Sequence, residues 1–248
     1  MLGKHPRAAL EFSGGKDSTA LLHLARPHLD KITVFFGDTG GVYPHVKDFV
    51  MRTCRELGAE LVTVQPHMHV LDYHKEKGLP VDVLPLDACS DFSGFKGEAR
   101  PGTRLQAWTS CCSAMIWQPM EQVIRQRGHT LVLRGSKLCD PHVTAPPGTV
   151  HDGVEYQSPL WYWSHADVIA FLADKEMAPQ YPEILDSMDC WCCTGLMTGQ
   201  YAKAKLEYAR AHYPELWPVM VDRLKEVQRS IAEHTATVNK AIDGAIYG

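Results

Sequence analysis

Short apolar runs alternate with helix-like runs from the start of the chain, and no other feature restricts the fold as much. Residues 8–12 read as a first strand, 18–24 as a helix and 32–36 as a second strand. Residues 44–57 form the next helix, with Val46, Phe49, Val50, Cys54 and Leu57 on one side. Gly58 closes that helix, and residues 61–64 make a third strand. A β-α-β-α-β order implies parallel strands joined by right-handed crossovers, with helices on both faces. Residues 130–134 supply a fourth strand and 154–157 a shorter fifth. Ser164 and Asp167 have capping-box spacing ahead of a further helix. The expected fold is therefore α/β, a doubly wound, mostly parallel five-stranded sheet. The break at residues 66–102, rich in Pro, Gly and Asp, reads as a functional lid or loop. After Cys193 the chain reads as helix, interrupted by Pro214 and Pro218. The expected division is a nucleotide-binding domain over 1–198, cluster cysteines included, and a helical C-terminal extension over 199–248.

The hexapeptide Ser13-Gly14-Gly15-Lys16-Asp17-Ser18 stands between the first strand and its helix. Such a strand–loop–helix unit aims backbone N–H groups and a helix N-terminus at one point, which suits an anion. Glycines let the main chain approach a ligand, Lys16 adds a point charge, and Asp17 places a carboxylate for a magnesium ion. An ordinary tight turn has a similar composition, but the position at a strand end favours the anion site. Asp38-Thr39-Gly40 leaves the end of the second strand, where open parallel sheets collect ligands. The chain has no Gly-x-Gly-x-x-Gly dinucleotide fingerprint and no Gly-x-x-x-x-Gly-Lys-[Ser/Thr] loop.

The 248 residues can bury a full core, 45% of them are hydrophobic, and 22% are charged. No run approaches the roughly 20 apolar residues of a membrane span, and residues 1–7 lack the apolar segment of a secretory signal. A cytoplasmic protein with no membrane partner is expected. The net charge of −4 argues against a dedicated nucleic-acid clamp. It leaves open a local basic face at Lys96, Arg100, Arg104, Arg125 and Arg127, or simply a solvated loop and helix end. His142 and His151 flank the Pro-rich loop after the fourth strand, as loop residues or substrate contacts.

Eight cysteines in a reducing compartment point to metal binding or catalysis rather than to disulfides. Cys111-Cys112 and Cys190-Trp191-Cys192-Cys193 are clustered. Adjacent cysteines at a helix start diverge by about 100°, which suits different irons of one cluster better than two vertices of a small tetrahedral ion. Cys190 and Cys193 have the Cys-x-x-Cys spacing that wraps a metal or a cluster edge. Together Cys111, Cys112, Cys190 and Cys193 make a complete set of four thiolates. A four-cysteine zinc site and a group of inert buried cysteines remain the alternatives. Cys192 is a spare thiol or a sulfur carrier.

The hexapeptide, "FFGDTGGVYP" after strand two, Arg134-Gly135-Ser136 after strand four and "SPLWYWSHADVIAFL" resemble the PP-loop ATP pyrophosphatases. More narrowly, they resemble the phosphoadenosine phosphosulfate (PAPS) reductase-like branch, over roughly residues 8–194. The resemblance implies an adenine nucleotide alpha hydrolase-like fold. It also implies that Ser13, Gly14, Gly15, Lys16, Asp17 and Ser18 cradle pyrophosphate, with Phe36, Asp38, Arg134 and Gly135 beside the nucleotide. The paired cysteines resemble those of adenylyl-sulfate reductases, which implies a [4Fe-4S] cluster on Cys111, Cys112, Cys190 and Cys193. Three departures point away from sulfate reduction. The first loop is intact, no cysteine follows Cys193, and Met115 and Ile116 replace the basic residues that usually follow the paired cysteines.

The function expected on this basis is an iron–sulfur enzyme that cleaves ATP to AMP and pyrophosphate with Mg²⁺. It would activate an acceptor oxygen for replacement by sulfur, as in tRNA thiolation or DNA phosphorothioation, with Lys16 and Asp17 at the catalytic centre. A sulfonucleotide reductase using Cys192 as nucleophile is the alternative, and a non-catalytic nucleotide-binding cluster sensor is a second. Expected partners are an adenine nucleotide and a nucleic acid or sulfur-donor protein, with a homodimer left open.

Overall fold

In the computed structural model the described residues are 2–82, 105–140, 145–181, 184, 186–188 and 190–247. Strand β1 (Ala8–Glu11) feeds the Ser13–Ser18 loop, and helix α1 (Lys16–Ala25) starts as soon as Gly15 leaves its extended conformation. Strand β2 (Ile32–Gly37) leads to α2 (Pro44–Leu57), which begins on a proline and ends on Gly58 in the left-handed region at φ 69°. Strand β3 (Glu60–Val64) follows, then α3 (Val70–Lys77) and β4 (Leu79–Val81). Next come β5 (Leu105–Ala107), α4 (Trp108–Cys112), a π-helical turn at Ser113–Trp117 and α5 (Gln118–Gln126). Strands β6 (Leu131–Leu133), β7 (Thr149–His151) and β8 (Val154–Gln157) precede α6 (His165–Phe171). The chain ends in α7 (Ala202–His212) and the long α8 (Trp217–Tyr247).

The chain divides into two compact units, Met1–His67 with Met115–Asp189, and Met68–Ala114 with Cys190–Gly248. The first unit holds a six-stranded sheet in the order β3-β2-β1-β6-β8-β7. All of its pairings are parallel except β7 on β8. The five expected strands are present, and β7 adds a sixth through a two-residue hairpin. Its turn is Asp152-Gly153, with φ of 47° and 79°, the positive values that a type I′ turn requires. Alternation along β1 sorts two cores. Ala8 and Leu10 join Leu21, Phe49, Val50 and Val168 on one face, while Ala9 joins Phe35, Met120 and Ile124 on the other. Helices α1, α2 and α6 thus cover one face and α5 the other, a doubly wound sheet.

The second unit contains the parallel pair β4–β5 with α3, α4, α7 and α8. Here the structure corrects the reading of residues 66–102 as an unstructured break, since α3 and β4 lie inside it. Among the described residues β4 pairs with β5 alone, which makes it an edge strand there and one that tolerates Pro80. Residues 83–104, with Cys89, Lys96, Arg100 and Arg104, lie outside the described residues, as does His142. Among the described residues no helix is long and apolar enough to cross a membrane.

Candidate functional site

Strand order reverses between β1 and β6, and in such sheets the crevice outside the carboxyl ends of those two strands is the ligand position. Two loops meet there, Ser13–Ser18 after β1 and Arg134–Lys137 after β6. Each loop needs a glycine, Gly14 to lie against α2 and Gly135 to reach the first loop. Gly14 has φ 79°, and a Cβ there would lie 3.1 Å from Val46 and Val50 methyls. A Cβ on Gly135 would lie 3.0 Å from the backbone of Asp17 and Ser18. The β6 loop thus rests directly on the start of α1. Arg134, expected at the nucleotide, forms a two-pronged pair with Glu11 at 2.8 and 3.0 Å and stacks 4.4 Å over Tyr156. It fastens the two strands that flank the crevice.

Within the first loop, Ser13 Oγ accepts from Gly15 N–H at 3.3 Å and sits 3.1 Å from Ser18 Oγ, which donates to Gly15 C=O at 3.0 Å. Gly15, the N-cap of α1, brings no capping side chain, so the positive end of the helix dipole faces the loop. Asp17 is held between two cations: Lys16 Nζ donates to Oδ2 at 2.9 Å, and Lys137 Nζ lies 2.8 Å from Oδ1. Lys137 also pairs with Asp140 at 2.8 Å, and its side chain is 0% exposed. Burial works against the Lys137 charge, but Asp140 and Asp17 outweigh it and hold the ammonium above its ordinary range. The Lys137–Asp17 contact has ion-pair distance without hydrogen-bond geometry. Lys137 Nζ thus sits at ion-pair distance from two carboxylates, Asp17 and Asp140. A magnesium ion on Asp17 would have to take the place of Lys16 or Lys137.

Asp38 is 5% exposed, pairs with Lys47 and accepts from Gly40 N–H at 3.1 Å. Burial raises its pKa, yet the Lys47 and Gly40 bonds prevail and hold it below the usual carboxylate range. Phe36 is buried in the core at 3% exposure, so its main chain is what it offers a nucleotide. Arg125 pairs with Glu121 and Asp152, Arg127 with Glu60, and His151 with Glu121, which commits these groups to the fold.

The four cysteines of the expected cluster all belong to the second unit. Cys111 is buried at the end of α4, with Cys112 half-buried beside it. Cys193 N–H donates to Cys190 C=O at 2.9 Å, a tight turn that folds the Cys-x-x-Cys segment back on itself. A Cβ on Gly195 would lie 2.8 Å from Trp108 Cβ and 3.7 Å from Cys193 Sγ. The absence of that atom lets the segment seat against the first residue of α4. Burial, foremost, and the thiols of Cys112, Cys190 and Cys192 push the Cys111 thiol up, with Cys193 not among those neighbours. Four thiolates are a soft donor set of the kind that holds an iron–sulfur cluster or zinc. Among the described residues, however, the ligand atoms that come within 4.8 Å of one another are those of Cys139, Asp140 and His165, not three or more of these sulfurs. Cys192 is 1% exposed, and burial pushes its thiol up to about 12.

A model of the phosphoadenosine phosphosulfate reductase domain matches residues 7–196. The chain belongs to that family. An uncharacterised protein of Methanocaldococcus jannaschii is 22% identical over 222 residues, covering 86% of this chain but 46% of its own length. The chain therefore spans about half of this curated relative. Among solved structures, PAPS reductase of Candida auris in a phosphate complex has a TM-score of 0.47 at 15% identity, covering 69% of this chain and 74% of that one. FMN adenylyltransferase of Candida glabrata with FAD and pyrophosphate has a TM-score of 0.46 at 14% identity, covering 73% and 55%.

The family match ends at residue 196, ahead of α7 and α8. From α8, Arg223 returns to the cysteines, where its Nε donates to Cys192 C=O at 2.9 Å and its other arm meets His74 Nδ1. Neither Arg223 nor His74 is marked by any motif. Lys137 is a further residue that sequence reasoning did not single out, although its place four residues after β6 is a usable signal.

Proposed function

We propose that this protein is an adenylating iron–sulfur enzyme of the ATP pyrophosphatase type, which activates a nucleic-acid acceptor for sulfur transfer. The observation that carries this reading is the pair of lysines, Lys16 and the fully buried Lys137, bracketing Asp17 where the two loops meet at the strand-order reversal. An acceptor oxygen attacks the α-phosphorus of ATP, the bond to the bridging oxygen breaks, and pyrophosphate leaves. The charge that builds on the leaving group is met by the α1 N-terminus and by the two ammonium groups. Ser13 and Ser18 fix the loop, while Asp17 orients both lysines. Mg²⁺ enters bound to ATP. A sulfur nucleophile then displaces AMP from the adenylated acceptor.

Cys111, Cys112, Cys190 and Cys193 would hold a [4Fe-4S] cluster, which when bound supplies a place for inorganic sulfur and a one-electron couple. The Cys192 side chain is 1% exposed, out of reach of an incoming substrate, which weighs against the sulfonucleotide reductase reading.

The test is an anaerobic assay with ATP, Mg²⁺, a sulfide source and tRNA or DNA acceptors. AMP and pyrophosphate should form in equal amounts, dependent on the acceptor, and Lys16→Met should abolish both. Thiol-dependent sulfite release from adenylyl sulfate or PAPS, without ATP cleavage, would establish the reductase instead.

A further inference from the structure

Three elements of the second unit converge on one sulfur. His74 on α3 is 3% exposed, and its Nε2 lies 3.1 Å from Cys111 Sγ on α4. Its other ring nitrogen, Nδ1, meets a terminal nitrogen of Arg223 on α8. A guanidinium has only N–H groups to offer, so Nδ1 must accept. That assigns the ring proton to Nε2, which points it at Cys111. The Arg223 Nε donates to Cys192 C=O at 2.9 Å, so the guanidinium is anchored at both ends and its orientation is not free. Its charge also acts on Cys111, Cys192 and Cys193.

We propose that His74 and Arg223 are positioning residues that fix one N–H···S hydrogen bond on Cys111, and so raise the reduction potential of the cluster held by that cysteine. The inference rests on the four-cysteine cluster of the proposed function. An N–H donor and a nearby cation both draw charge from a ligating sulfur, and reduction adds an electron, so both favour the reduced state. Arg223 lies beyond the family match, which gives the C-terminal helix a part in tuning the site rather than only in packing.

The full-length protein is reconstituted anaerobically, and iron and acid-labile sulfide are counted before the cluster is titrated electrochemically with EPR detection. About four of each per chain in the wild type supports the cluster reading; their absence overturns that reading and this inference with it. Given a full cluster, His74→Leu should lower the reduced-to-oxidised ratio at the wild-type midpoint by on the order of tenfold, 59 mV for one electron. Arg223→Met should move it the same way, and His74→Gln, which keeps an N–H at the Nε2 position, should stay near wild type. Full clusters with unshifted midpoints in His74→Leu and Arg223→Met overturn the inference and leave the cluster standing. If the variants lose iron, the wild type still decides. With ¹⁵N-labelled histidine, pulsed EPR of the reduced cluster should show a histidine nitrogen coupled to its spin, and absence of that coupling overturns the inference.

Discussion

Lys137 is the buried cation that joins two carboxylates. Its side chain is 0% exposed and lies 2.8 Å from both Asp17 and Asp140, so replacing it leaves two carboxylates facing each other with only Lys16, on Asp17, to balance them. Lys137→Met should lower stability by roughly 3 kcal/mol in urea unfolding. On the proposed function it should also weaken ATP binding at least tenfold in calorimetric titration, because one of the two ammonium groups proposed to meet the pyrophosphate is lost. Asp38 gives a pH-dependent counterpart. Its folded pKa is depressed by Lys47 and Gly40 despite burial. Its contribution to stability is therefore complete above the ordinary carboxylate value near 4 and is lost as pH falls through the lower folded value. Asp38→Asn should unfold more easily than the wild type at pH 7, and the difference should shrink toward pH 3. An unchanged difference across thermal melts at those pH values would assign Asp38 no ionic role.

Helix α6 shows how a local signal fixes an element. Ser164 Oγ accepts from Asp167 N–H at 3.1 Å, and Asp167 Oδ2 accepts from Ser164 N–H at 2.7 Å, a reciprocal cap. Ser164→Ala should cost about 1 kcal/mol in urea unfolding, with nucleotide affinity unchanged. That cap was legible because its partners are three residues apart. The same locality made β1, β2, β3, β6 and β8 readable from apolar runs, and α2 from its spacing and Gly58. The β7–β8 hairpin was equally local, and Asp152-Gly153 marks it, yet β7 is short and exposed and offers no apolar pattern. Strand β4 was hidden by Pro80, since a proline speaks against a strand until it is known to lie at an edge. Lys137 and the His74–Arg223 pair belong to a third kind. Their meaning comes from partners on other elements, Asp17 for the lysine and Cys111 for the histidine, which no window of sequence contains.

The two chemistries fall in different parts of the chain. The Ser13–Ser18 loop, Asp38 and Lys137 belong to the first compact unit, whereas Cys111, Cys112, Cys190 and Cys193 belong to the second. Each set is held by contacts within its own unit: Gly135 against Asp17 for the nucleotide loop, Gly195 against Trp108 for the cysteine segment. Loading of the two proposed sites should therefore be separable. Serine at any of the four cysteines should reduce iron and acid-labile sulfide together from about four per chain, while ATP titration still reports nucleotide binding. Asp17→Asn should do the reverse, keeping iron and sulfide while ATP cleavage under limiting Mg²⁺ falls. Serine at Cys54, Cys89 or Cys139 should change neither. In an anaerobic preparation, stoichiometric zinc without iron would replace the cluster by a structural ion. Loss of iron in Asp17→Asn would show that the two sites do not load independently.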